Sequence, residues 1–221
     1  MKEIIEKLRS IDVDKITNNE LELLLPSLGM NDEKLTQMPP HLNDYYGKGL
    51  KFWQYPNQFN EYLKKLSTYE IDSYLEIGSR WGGTFIITTE ILKLKNNNIK
   101  SYACDIIPMS DVLNEYANFN EFTYINKSSF DITKSDVNEQ VDLILVDGFH
   151  SYDAVKKDFE TSLTFNPKYI VLHDIFSDAC PDVVRFWNEI KNDYKHYEYV
   201  NQYDNVNGNF LGIGLLEIRN I

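Results

Sequence analysis

The run "VDLILVDGFHSYDAVKKDFE", residues 141–160, decides the fold. Its first seven residues are almost unbroken apolar chain ending in Asp147. A strand buried on both faces of a parallel sheet reads this way. Gly148 makes a turn, and a helix is expected over about 151–165. The same unit recurs outward in both directions. Strands are expected at 73–78, 100–106 and 122–127 upstream, and at 169–174 ("YIVLHD") downstream. Helices are expected between them at about 82–95, 109–118 and 131–138. Five strands with crossover helices imply an α/β, Rossmann-like doubly wound sheet with right-handed connections. A helix at about 181–194 then leads to two strands, near 196–200 and 211–218. The turn-rich link between them, "NQYDNVNGN", suggests an antiparallel pair closing the sheet.

Residues 1–69 read as an N-terminal helical extension to a domain at 70–221. Ile4, Ile5, Leu8 and Ile11 share a helical face. A second helix starts at Thr17 or Asn18 as cap and stops at Pro26 and Gly29. Residues 31–57 are irregular and aromatic-rich, and a third helix is expected from Asn57 to Ser67. The stretch Tyr45–Tyr55 is a candidate lid, with Gln54 as a polar contact and Tyr45, Tyr46 and Trp53 able to stack on a sugar ring. These extension helices either cap the domain or serve a homo-oligomer.

Composition narrows the classes. The chain has 221 residues, 43% hydrophobic and 25% charged, which suits one domain with a short extension. Its formal charge of -12 disfavours nucleic acid and anionic membrane as partners. Cys104 and Cys180 form neither a zinc motif nor a disulfide scaffold, and Cys104 reads as a small core residue. A reducing cytoplasm fits, and no apolar run approaches the roughly 18 residues that cross a bilayer.

In open parallel sheets, ligands sit beyond the carboxyl ends of the strands. The first strand delivers "YLEIGSRWGG", with Glu76 on the strand, Gly78 opening the turn, and Gly82 and Gly83 admitting a close ligand. Arg80 breaks the dinucleotide spacing GxGxxG. The second strand ends in Asp105, a carboxylate placed to accept from both ribose hydroxyls of a nucleoside. Ser128, Ser129 and Asp131 follow the third strand, within reach of an adenine edge. The fourth and fifth strands present Asp147, His150, His173 and Asp174 to one crevice. Lys156 and Lys157 read as a solvated helix face.

"YLEIGSRWGGTF", "LILVDGFHSYDAVKKDFE" and "YIVLHDIF" resemble the class I S-adenosylmethionine-dependent methyltransferases over residues 70–218. They look most like the branch of macrolide-sugar and rhamnosyl O-methyltransferases and cephalosporin hydroxylase-like proteins. The resemblance implies a seven-stranded sheet, mostly parallel, with an antiparallel last strand. It implies that Glu76, Gly78, Ser79 and Gly82 line the methionine and ribose side of an S-adenosylmethionine pocket. Asp105 would bind the ribose, Ser129 would lie near the adenine, and Asp147 would border the cofactor. It further implies a divalent metal, magnesium, manganese or similar, at Asp147 and Asp174. His173 stands where these relatives are often acidic, and imidazole suits manganese, iron or zinc better than magnesium.

The expected reaction is O-methylation of a hydroxyl on a sugar, other glycan or small metabolite. The metal, held by Asp147, His173 and Asp174, would polarise the hydroxyl, and His150 would take its proton, with Asp147 as its catalytic partner. Three alternatives stand beside it. One is a non-haem iron oxygenase built on His150, His173 and an aspartate. The others are a nicotinamide oxidoreductase and a non-catalytic protein that keeps the nucleoside pocket.

Overall fold

The structure is a computed structural model and describes residues 1–137 and 140–219. The five expected parallel strands form as β1 (Ser73–Ile77), β2 (Lys100–Asp105), β3 (Thr123–Asn126), β4 (Leu143–Val146) and β5 (Tyr169–His173). β6 (Lys195–Tyr199) and β7 (Ile213–Glu217) complete a seven-stranded sheet of order β3-β2-β1-β4-β5-β7-β6. The last strand is the antiparallel one, wedged between β5 and β6 and antiparallel to both.

Side chains alternate across the strands, and each face buries its own core. Tyr74, Ala103, Leu143, Leu145, Val171 and Leu215 point to one side. Leu75, Ile77, Cys104, Ile144, Val146 and Leu172 point to the other. That two-sided burial explains why the strands lack a polar alternate. The second face is covered by α6 (Tyr152–Thr164) and α7 (Pro181–Ile190), through Val155, Phe159, Phe186 and Trp187. The first face is covered by α4 (Gly83–Lys93) and by the N-terminal helices α1 (Lys2–Arg9), α2 (Asn18–Leu24) and α3 (Pro56–Leu66). The extension therefore shares one hydrophobic core with the sheet. Helix starts are set by local chemistry. Thr17 and Glu20 form a capping box for α2. Ser110 caps α5 (Asp111–Tyr116), and Ser151 caps α6.

One expected helix does not form. Between β3 and β4, where a helix is expected over 131–138, the chain makes two 3-10 turns, Ser129–Asp131 and Lys134–Asp136. Ser128 accepts from the Phe130 N–H, and the Thr133 and Asp136 side chains bond the ends of the second turn. Ser, Thr and Asp compete in this way with helical bonding. Position 138 lies outside the described residues. The expected helix at 181–194 likewise ends at Ile190, with a 3-10 turn over Lys191–Asp193.

The extension is tied to the sheet layer by a buried charge as well as by apolar contact. Glu90 of α4 is wholly buried and receives Arg9 in a bidentate pair, Nε to Oε2 at 2.7 Å and Nη2 to Oε1 at 3.0 Å. The Tyr116 hydroxyl donates to the same carboxylate at 2.7 Å. Removing the guanidinium leaves a buried anion with one donor, which costs about 2–3 kcal/mol. Arg9→Met should therefore lower the urea midpoint at unchanged m-value. An unmoved midpoint would show that the pair contributes nothing to holding the extension.

Candidate active site

β1 and β4 are neighbours, and their tips touch. The Asp147 N–H donates to the Ile77 carbonyl at 2.9 Å. Gly78 has φ +85°, and a Cβ there would sit 1.9 Å from the Asp147 carbonyl oxygen, so only glycine allows the contact. The turn after β1 is pinned on its other side by β2. The Gly78 and Ser79 N–H groups donate to the Cys104 carbonyl at 2.9 and 3.2 Å. The Asp105 carboxylate accepts from the Arg80 N–H at 2.7 Å and from the Ile107 N–H at 3.2 Å. It therefore braces the glycine turn while keeping lone pairs on the cavity side.

These tips open into a cavity of about 1090 Å³. Glu76, Gly78, Ser79, Gly82, Asp105, Ser129, Asp147, His150, His173 and Asp174 all lie in its wall. Five buried polar atoms of the wall have no protein partner among the described residues: Ser79 Oγ, Trp81 Nε1, Asp158 Oδ1, His173 Nε2 and Ser177 Oγ. Buried polar groups are normally satisfied, so these atoms stand available to a polar ligand.

The histidines and aspartates form one network. His173 Nδ1 lies 3.1 Å from Asp147 Oδ1 and 3.5 Å from Asp174 Oδ2. His150 Nε2 lies 3.4 Å from each of the same two carboxylates. Its Nδ1 faces Cys180 Sγ at 3.3 Å. Burial alone would raise the pKa of Asp147, but the charges and hydrogen bonds of His173 and His150 overcome it and hold Asp147 ionised. His150 is raised, first by its hydrogen bond to Asp147 and then by Cys180. His173 is raised as well: burial opposes its charge, and Asp147 and Asp174 outweigh burial. Asp174 itself stands at φ +61°, in the left-handed region a non-glycine residue rarely takes. Such strain collects at functional sites.

The donor set fits a divalent cation. One oxygen from each of Asp147 and Asp174 and a nitrogen of His173 lie within 4.8 Å of one another, and His150, Asp174 and Cys180 form a second such group. Two carboxylates with imidazole suit a borderline ion.

Two other carboxyls in the wall are buried and shifted. Glu76 is pushed up to about 8 by burial, against a hydrogen bond from the Tyr74 hydroxyl. Asp158 on α6 is pushed up to about 6 by burial, with the Ser129 hydroxyl opposing.

Not every aromatic of the irregular segment reaches the cavity. Trp53 does, with Lys51 and Leu35. Tyr45 and Tyr46 pack against the hydrophobic core instead, and Gln54 is wholly buried and stands outside the wall. The segment is seated on the glycine turn: a Cβ on Gly83 would meet the Leu50 carbonyl oxygen at 2.4 Å. Lys51 stands over the Trp81 ring at 4.5 Å, and Arg80 over Trp53 at 4.7 Å. Lys157, read as solvated face, also lines the cavity, as do Asp158, Phe130 and Phe149. Phe149 is 77% exposed between Gly148 and His150. A large apolar side chain at a strand tip is the sequence signal that marks it.

Solved structures of known proteins share the fold. The O-methyltransferase from Bacillus cereus, solved in complex with SAH, is 16% identical, with a TM-score of 0.53 over 97% of each chain. The O-methyltransferase NovP is 11% identical, with a TM-score of 0.60 over 92% of this chain and all of that one. An rRNA methylase from Streptococcus thermophilus is 11% identical, with a TM-score of 0.57 over 73% of this chain and 97% of that one. No curated protein matches the sequence. The fold is that of the Rossmann-like methyltransferases. Residues 75–175 match the family described as a methyltransferase domain.

The buried Glu76 gives the site a pH signature. Its carboxyl is favoured in the protonated form on folding, so its contribution to stability is present below 4.5 and is lost as pH rises to about 8. Glu76→Gln cannot ionise. Relative to the parent, its melting temperature should hold up as pH rises through that window. Parallel pH profiles for the two proteins would place Glu76 outside the low-dielectric wall.

Proposed function

We propose that the enzyme transfers the methyl group of S-adenosylmethionine to a hydroxyl of a sugar, other glycan or small metabolite. One observation carries this reading. The glycine turn with its bracing Asp105 and the His150/Asp147/His173/Asp174 network share a single cavity. A nucleoside cofactor and an ionisable cluster are what such a transfer brings together. The likeness to two O-methyltransferases supports the acceptor atom. The net charge of -12 argues against a nucleic-acid acceptor.

In the proposed arrangement Gly78, Ser79 and Gly82 let the backbone approach the cofactor, and Glu76 lies on its methionine side. Asp105 accepts from the ribose hydroxyls, and Ser129 lies near the adenine. The sulfonium methyl is already electrophilic, so the protein's task is alignment and activation of the nucleophile. The acceptor oxygen forms the new C–O bond as the methyl–sulfur bond breaks, leaving S-adenosylhomocysteine and one proton. Asp147, His173 and Asp174 would hold a divalent cation, which when bound supplies positive charge to the acceptor oxygen. His150 takes the proton in its neutral form. That form is favoured once positive charge compensates Asp147 and Asp174, which otherwise hold the ring as imidazolium.

Mass spectrometry of candidate glycans and metabolites incubated with labelled cofactor tests the reading. A methylated product is the expected result, and cofactor turnover with none of these acceptors would reject it. His150→Ala should lower turnover about 10²–10⁴-fold with cofactor affinity retained. Unchanged turnover would remove His150 from the reaction. Asp105→Asn should weaken cofactor binding roughly tenfold or more in a calorimetric titration, because hydrogen bonds to a charged group are lost. An unchanged Kd would move the ribose elsewhere.

A further inference from the structure

Cys180 has no part in the transfer described above. It stands at the N-cap of α7, 7% exposed, with its sulfur 3.3 Å from His150 Nδ1. The other ring nitrogen of His150 lies 3.4 Å from Asp174 Oδ2. One ligand atom each from His150, Asp174 and Cys180 therefore falls within 4.8 Å of the others. The group opens on the cavity through His150, and the nearby Ser177 hydroxyl, buried in the same wall, has no protein partner.

We propose that His150, Asp174 and Cys180 form a second cation site, selective for thiophilic divalent ions such as zinc, and that filling it silences the enzyme. The chemistry of the donors sets the selectivity. A thiolate with imidazole and one carboxylate is a zinc-type ligand set, with bonds of about 2.0–2.3 Å. Magnesium takes oxygen ligands and does not accept sulfur. Three protein ligands with an open fourth position is also a common arrangement for zinc facing a cavity. Binding displaces the thiol proton and one proton of the His150 imidazolium to solvent.

Occupation has two consequences at the neighbouring site. It takes a nitrogen lone pair of His150, the proposed base. It also draws on Asp174, which the site shares with Asp147 and His173. The inhibitory half of the inference rests on the methyl-transfer reading above; the binding half stands without it.

Cobalt(II), a spectroscopic stand-in for zinc, tests the binding half on the intact protein with neither cofactor nor acceptor present. One equivalent should raise a thiolate-to-cobalt charge-transfer band. Asp147→Asn, outside this group, should keep the band, and Cys180→Ser should lose it. His150→Ala, at an exposed position that does not threaten the fold, should weaken cobalt binding at least about tenfold. No band in the parent protein overturns the site. So does a band lost equally in the Asp147 and Cys180 variants, or unchanged affinity in His150→Ala. With activity as the readout, Cys180→Ser should raise the zinc concentration for half-inhibition at least about tenfold. Equal inhibition of the two proteins overturns the regulatory role. Because the cobalt titration needs no turnover, a failure of the methyl-transfer reading shows separately, as absent product with the band intact.

Discussion

The candidate site depends on one close approach, the packing of Gly78 against the carbonyl of Asp147. β1 and β4 lie side by side at the point where the strand order reverses, β2 to one side and β5 to the other. At such a switch point the loops leaving the two strands diverge and open a crevice. A side chain at Gly78 would force the strand tips apart. The bracing bonds to Cys104 and Asp105 could then no longer seat the turn beside Asp147. Both halves of the site, glycine turn and ionisable cluster, inherit their spacing from that contact.

Charge balance is the second constraint. Asp147 and Asp174 share one cavity wall in a protein of net charge -12. Two carboxylates brought together out of water repel, and each loses hydration. His173 and His150 lie between them as counter-charges, which is why both imidazoles are favoured as cations and Asp147 as an anion. The network is therefore poised for exchange. A cation can replace the imidazolium protons with no change in the carboxylates that hold them. The left-handed backbone of Asp174 fits the same picture, since strain persists where surrounding contacts over-determine a side chain's position.

Strand positions were legible because burial on both faces removes the polar alternate and leaves runs such as "LILV". The cavity end of the sheet was legible for a related reason. In a parallel sheet every strand delivers its last residue to the same edge, so Asp105, Asp147 and Asp174 could be grouped without coordinates. The segment from Ser129 to Asp136 was not legible as two turns. Crossover helices usually fill such a link between parallel strands, while the hydroxyls and Asp136 that break the helix act through local bonds no periodicity records. Cys180 escaped for a different reason. Its partner is 30 positions away in the chain, and pairing a helix cap with a strand-tip histidine needs the third dimension.

The irregular segment before α3 shows where such reading ends and why. Tyr45, Tyr46 and Trp53 are equal candidates by residue type, yet only Trp53 faces the cavity. What separates them is the backbone path: Leu28, Gly29 and Asn31 bond to Leu50 and Phe52 and lay that strip against the glycine turn. Side chains alternate along an extended strip, so Leu50 and Phe52 turn to the core and Lys51 and Trp53 to the cavity. The sheet thus furnishes the side of the cavity that a shared cofactor would need. The extension furnishes a further part of the wall, beside the glycine turn, from a stretch that belongs to no strand of the sheet. A fold fixes where a site lies, and segments seated on it shape what can enter.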